Sequence, residues 1–295
     1  MKGELIVDAR NVIGECCFQD PRDGCIYWTD IEGRKIFRLS GAGEVSRFTM
    51  PGRAGFILPL SSPGFVIGFP KQVVIADQEL REFTRIVDVE TDIPGTRIND
   101  AAVDPFGGVV FGTFNEVADP DRRPVCSLYR LSPEGDLQRL LSNIAISNGT
   151  DFSPDGSIMY FADTADGRIR RFRVGAADFS DLEEIEPLAT AADAPGLPDG
   201  GCVDAAGNYW SARVWGSCAI RFSPEGKPNG RVDIPVKGPT CVALCGPDLD
   251  QLHITSLRTE HSAEELRAAP EAGGLFRAGV DVPGCQQRLC HLRAL

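Results

Sequence analysis

An all-β, six-bladed β-propeller is the fold this sequence predicts, on three observations: a turn signal that recurs six times, a repeat of about 42 to 50 residues, and short strands between the turns. The signal is Asp-Pro, Ser-Pro or an Asp-rich equivalent that reaches Gly or Asp within a few residues and then a β-rich run. It reads Asp20-Pro21-Arg22-Asp23-Gly24 before Cys25-Ile26-Tyr27-Trp28, Ser62-Pro63-Gly64 before Phe65-Val66-Ile67, and Asp104-Pro105-Phe106-Gly107 before Val109-Val110-Phe111. It continues as Ser153-Pro154-Asp155-Gly156 before Ile158-Met159-Tyr160-Phe161, Asp204-Ala205-Ala206-Gly207 before Tyr209-Trp210, and Pro247-Asp248-Leu249-Asp250 before Leu252-His253-Ile254. Proline presets φ, Asp and Ser oxygens accept nearby backbone N–H groups, and Gly tolerates positive φ, so each signal has a physical reason to turn.

A further strand recurs downstream, at residues 35–39, 127–131, 168–172, 219–222 and 274–277, with apolar and polar residues roughly alternating. Period two argues for antiparallel β-structure. One short helix is expected at residues 262–269, capped by Ser262 with Glu264 and Glu265 in its first turn. Residues 4–8 precede the first signal and are expected to close the last blade as its outer strand. No linker composition divides the chain, so residues 1–295 are expected to form a single propeller domain.

Composition excludes several classes of function. The chain carries 42 Asp+Glu against 30 Lys+Arg, a formal charge of -12, and has no basic stripe with interleaved aromatics, which argues against a nucleic-acid partner. Its longest apolar runs are far shorter than the roughly 20 residues of a membrane span, so no membrane partner is expected. Acidic residues within the first eight positions break any secretory signal, and ten cysteines without a C-x-x-C pair read as thiols of a cytoplasmic protein. Nothing speaks to oligomeric state. G-x-S-x-G, H-E-x-x-H and G-x-x-x-x-G-K-[ST] motifs are all missing.

Blades are related by rotation, so equivalent positions ring the central channel. The position about five residues before each turn signal holds Glu15, Ile57, Asn99, Asn148, Asp199 and Thr240. Four of the six carry carboxylate or amide oxygens where small or apolar residues are expected. Glu15, Asn148 and Asp199 converging at one end of the channel would make an oxygen-rich site for one hard or borderline divalent cation, with Ca, Mg, Mn, Zn and Fe(II) all compatible. Singly, Asn and Asp at such places are also ordinary turn residues. Their shared phase is what favours a site.

The motifs Gly14-Glu15, Arg97-Ile98-Asn99-Asp100, Phe111-Gly112-Thr113, Ser147-Asn148-Gly149, Pro198-Asp199-Gly200 and Gly273-Gly274-Leu275-Phe276 run in order along nearly the whole chain. Together they resemble the gluconolactonase/regucalcin (senescence-marker-protein) family of sugar lactonases, six-bladed propellers that open aldonolactones with one divalent metal. The resemblance implies that Glu15, Asn148 and Asp199 are metal ligands, that Asp199 is also the catalytic acid/base, and that Arg97 and Asn99 hold substrate hydroxyls. It makes Glu116 a further substrate-binding candidate, given a slight shift of register in the loop after Thr113. Where the family usually has Gly-Pro after its Glu, this chain has Cys16-Cys17, which opens the question of a different local turn and of Cys16 approaching the metal.

Two more arginines, Arg53 and Arg213, are expected near the channel mouth. They leave open an acidic substrate, a lactone of glucaric or galactaric acid, beside neutral aldonolactones such as those of xylonate, arabinonate or gluconate, because a guanidinium grips a carboxylate through two parallel hydrogen bonds. A non-catalytic calcium-binding or scaffold propeller is the alternative, since fold alone does not decide function.

Overall fold

The computed structural model describes residues 1–292. Their strands form six four-stranded sheets, and all but one sheet use consecutive segments of chain. After β1 (Glu4–Val7), blade 1 consists of β2 (Gly14–Gln19), β3 (Ile26–Asp30), β4 (Lys35–Leu39) and β5 (Val45–Thr49). Blade 2 follows as β6 (Phe56–Pro59), β7 (Phe65–Phe69), β8 (Gln72–Ala76) and β9 (Phe83–Asp88), and blade 3 as β10 (Thr96–Val103), β11 (Val109–Asn115), β12 (Cys126–Leu131) and β13 (Leu137–Ile144). Blade 4 contains β14 (Ser147–Phe152), β15 (Ile158–Asp163), β16 (Arg168–Arg173) and β17 (Glu183–Ala189); blade 5 contains β18 (Leu197–Val203), β19 (Tyr209–Val214), β20 (Cys218–Phe222) and β21 (Pro228–Asp233). Blade 6 takes β22 (Pro239–Cys245), β23 (Gln251–Ser256) and β24 (Leu275–Gly279), and β1 completes it by pairing antiparallel with β24. The architecture is the six-bladed propeller that the repeat predicts.

The turn signals work as local hydrogen-bonding devices. Asp104 Oδ1 accepts the N–H groups of Phe106 at 2.7 Å and Gly108 at 3.0 Å, and Asp204 Oδ1 accepts those of Ala206 at 3.0 Å and Asn208 at 2.9 Å. The second oxygen of Asp104 takes Arg130 Nε at 2.6 Å inside the protein, tying the turn to the third strand of its blade. First strands pack against the first strands of neighbouring blades around the axis, while fourth strands such as β5 and β9 face solvent along half their length. Apolar residues fill the seams between blades, with Phe56, Phe65 and Phe111 fully buried in the largest cluster. The short helix is α1 (Ala263–Ala268), with Ser262 and Glu265 forming a reciprocal capping box.

One irregularity recurs. Pairing between the first and second strands slips by one residue after Glu15, Ile98, Asn148, Pro198 and Pro239, whereas β6 and β7 pair without interruption. Each slip is a β-bulge, which turns side chains of consecutive residues toward the same region. All five lie at the same height of the channel.

At the far end of the channel the chain returns as a strap. Ala205 N–H donates to Pro283 O, Cys290 N–H to Pro59 O and His291 N–H to Gly107 O, so residues 283–291 join blades 5, 2 and 3. Beneath the strap lies a cavity of about 420 Å³ lined by the far halves of the first strands, the inner turns and Cys285 to Arg288. Among the described residues, no helix is long and apolar enough to cross a membrane.

Candidate functional site

The bulges correct the register read from the sequence. Pairing makes Glu15 equivalent to Ile98, Asn148 and Pro198, and makes Cys16 equivalent to Asn99, Gly149, Asp199 and Thr240. Glu15 and Asn148 therefore stand one residue ahead of Asn99, Asp199 and Thr240. Because a bulge admits two successive residues opposite one, both phases still meet at the mouth of the channel. Asn99 Nδ2 donates to Asn148 Oδ1 at 2.9 Å and to Ser147 O at 2.8 Å, and Asn148 Nδ2 donates to Thr164 Oγ1 at 2.8 Å.

Glu15 and Asp199 are both buried in this cluster. Burial, then the charges of Asp199 and Asp100, push Glu15 well above the usual carboxylate range; burial and Asp100 do the same to Asp199. Asp199 Oδ1 has no hydrogen-bond partner. A buried acceptor without a donor is costly, and two neighbouring buried carboxylates repel each other when ionised. A divalent cation removes both costs, and two carboxylates with an amide oxygen suit a hard or borderline ion. Asn148 Oδ1 keeps a second lone pair beside the bond from Asn99. Among the described residues, no three His, Cys, Asp or Glu side chains gather as a ligand set, and this arrangement contains only two of those types plus an amide. The residues present thus fit one ion held with open positions.

Arg97 lies alongside. Its buried guanidinium donates from Nη1 to Asn99 Oδ1 and, at 3.2 Å, to Ile98 O; Nε donates to Glu116 Oε1 at 3.2 Å, and the group lies 4.7 Å from the centre of the Phe114 ring. Glu116 also receives Arg53, with Nη1 at 2.6 Å and Nη2 at 2.9 Å, while Arg53 Nη1 reaches Glu32 at 2.8 Å. Although burial alone would raise the pKa of Glu116, hydrogen bonds from Arg53 and the charge of Arg97 hold it below its ordinary value. The result is a chain Asn99–Arg97–Glu116–Arg53–Glu32 across blades 3, 2 and 1.

Two residues have other surroundings. Cys16 adopts φ 49°, beside φ 57° at its equivalent Gly149, so the backbone after Glu15 turns as it does after Asn148. Its thiol donates to Ile57 O and accepts from Ile57 N–H, both at 3.3 Å. Arg213 is fully buried, and its Nε and Nη2 donate to Pro195 O at 3.1 Å and Gly196 O at 3.0 Å. Sequence reasoning gave no role to Thr164 or Asp100. Thr164 Oγ1 donates to Pro198 O at 2.8 Å, and Asp100, raised to about 7 by burial, accepts Thr150 N–H at 2.9 Å. Asp100 was legible inside the Asn99-Asp100 pair; Thr164 offered no motif. None of Glu15, Asn99, Asn148 and Asp199 lines the cavity under the strap, which lies at the other end of the channel.

Comparison with known proteins identifies the family. The family model "SMP-30/Gluconolactonase/LRE-like region" matches residues 13–258. The chain is 37% identical to an L-arabinolactonase of Azospirillum brasilense, over 93% of this chain and 90% of the relative. It is 32% identical to a 6-deoxy-6-sulfogluconolactonase of Pseudomonas putida, over 97% of each chain. Among solved structures, a calcium-binding protein, regucalcin, from Agrobacterium tumefaciens superposes with TM-score 0.91 at 27% identity, covering 97% of this chain and 96% of the other. By the extent of that family match and the identity shared along almost its whole length, the chain belongs to the SMP-30/gluconolactonase/LRE-like family.

Proposed function

We propose that the protein is a metal-dependent sugar lactone hydrolase. Glu15, Asn148 and Asp199 would hold one divalent ion, Asp199 would handle the proton, and Arg97, Asn99 and Glu116 would hold the sugar. The observation that carries this reading is the unpartnered Oδ1 of buried Asp199, beside a second buried carboxylate and next to the Arg97–Asn99 pair. The lactonases among the relatives support the reaction class. An ion bound there supplies positive charge for the lactone carbonyl and for the oxyanion formed from it.

The chain's own part is to position the sugar and move one proton. Asp199 accepts a proton from the attacking water as the water oxygen bonds to the carbonyl carbon, and returns it to the ring oxygen as the acyl C–O bond breaks. One water is consumed, and an open-chain sugar acid leaves. Asn99 is fixed by Arg97 on one side and Asn148 on the other, so it presents its amide in one orientation.

Charge at the mouth supports a neutral aldonolactone. Arg53 and Arg97 face Glu32 and Glu116, two charges against two, and an acidic lactone would have to displace Glu116 from Arg53. An aldarolactone is the second reading, resting on Arg97 and Arg53 releasing Glu116. Ten cysteines, eight of them buried, suit a reducing cytoplasm. The test is acid release from a neutral aldonolactone and an aldarolactone by wild type and Asp199→Asn. Turnover by wild type with a loss of roughly 100-fold or more in the variant supports the assignment, since an amide coordinates but cannot take the proton. A variant retaining more than about a tenth of wild-type activity removes Asp199 from that role.

A further inference from the structure

We infer that Arg213 is a positioning residue for Asp199: its buried guanidinium fastens the short segment that carries this carboxylate into the channel. The inference rests on the proposed role of Asp199. With no partner on Oδ1, the Asp199 side chain depends for its position on the backbone beneath it. That backbone is held from two sides. From β19, where Arg213 pairs in register with Pro198, the guanidinium donates to the carbonyls of Pro195 and Gly196. From blade 4, Thr164 donates to the carbonyl of Pro198 and receives Asn148, so the same segment is linked to a second candidate ligand.

The segment is built for close contact with β19. Gly196 has φ 66°, and a Cβ there would lie 2.4 Å from Val214 O and 2.6 Å from Gly216 N. Burying a guanidinium is expensive, and here its hydrogen-bond partners are two neutral carbonyls with no carboxylate among them. Holding two backbone oxygens only three and four residues from Asp199 gives that burial a purpose. A bidentate grip on a substrate carboxylate is not free to form, since the side chain is fully buried and its Nε–Nη2 edge is already engaged.

The experiment compares wild type, Arg213→Met, Arg213→Lys and Gly196→Ala, the last of which strains the segment without touching the guanidinium. It measures kcat and KM on a neutral and an acidic lactone, and Ca2+ affinity by calorimetry on chelator-treated protein without substrate. Arg213→Met is expected to lower kcat about 10- to 100-fold on both lactones, with KM changed less than about threefold, and to weaken Ca2+ binding. Arg213→Lys recovers most of the kcat, because an ammonium also donates to both carbonyls. Gly196→Ala reproduces the loss in kcat, and it decides the matter if Arg213→Met does not fold. Wild-type kcat and Ca2+ affinity in Arg213→Met or Gly196→Ala would overturn the inference, as would a loss confined to KM for the acidic lactone. Wild type without lactone turnover would count against the proposed function instead, and Ca2+ affinity in the variants would still decide for or against Arg213.

Discussion

Blades 2 and 5 have the same four antiparallel strands and meet the same axis, yet their first strands do opposite things. In blade 2, β6 reads Phe-Ile-Leu-Pro, pairs with β7 in unbroken register, and buries Ile57 in the largest apolar cluster. In blade 5, β18 breaks register between Pro198 and Gly201 and presents Asp199, whose burial pushes its pKa well up. The difference teaches where the molecule tolerates cost. Blade 2 is packed for stability, while blade 5 buries a carboxylate whose Oδ1 has no hydrogen-bond partner.

Exchanging the characters of the two blades gives the largest expected effect. Ile57→Asp would bury an uncompensated carboxylate against apolar neighbours, and denaturant unfolding should show a loss of about 3–5 kcal/mol. A loss below about 1 kcal/mol would mean that blade 2 tolerates charge as blade 5 does.

A titratable group away from the mouth provides the next test. His253 on β23 is buried, and burial lowers its pKa to about 4. The fold accommodates the neutral ring, so its contribution is complete above the ordinary value near 6.5 and is lost as pH falls from there to about 4, by up to roughly 3 kcal/mol. The stability of His253→Gln should therefore fall less than that of wild type over this interval, and parallel pH profiles would contradict the assignment.

Gly149 sharpens the comparison at the bulge itself. It has φ 57°, and an added Cβ would lie 2.3 Å from Tyr209 Oη and 2.8 Å from Asp199 O. Gly149→Ala should cost about 2 kcal/mol by thermal or chemical unfolding. The smallest effect belongs to Asp199→Asn in chelated protein, whose unfolding midpoint should equal or slightly exceed that of wild type, by up to about 1 kcal/mol, because one of two repelling carboxylates is gone. A marked drop would make Asp199 a structural residue.

These contrasts also explain what was legible beforehand. The blades could be read because Asp104, Ser153 and Asp204 turn the chain through local hydrogen bonds, which depend on residue type and short spacing. Fourth strands such as β5 and β21 carry little pattern, since an outer strand has one solvated face and few packing demands. At the mouth, Glu15, Asn99, Asn148 and Asp199 stood out as polar residues in a place meant for apolar ones. Their exact phase did not, because a bulge adds one residue to the pairing without any marker in the spacing. Arg213 was expected near the channel mouth as a grip for substrate, but its burial against Pro195 and Gly196 was not legible, as its partners are backbone carbonyls that any residue at 195 and 196 would offer.

The central claim is that this mouth is a hydrolytic centre requiring a divalent ion, and acid release from a neutral aldonolactone tests it most directly. Wild type should lose turnover on chelation and regain it when one of Ca2+, Mg2+, Mn2+, Zn2+ or Fe2+ is returned, while Asp199→Asn stays inactive throughout. Undiminished hydrolysis in chelated wild type, or no hydrolysis with any of these ions, would contradict the account.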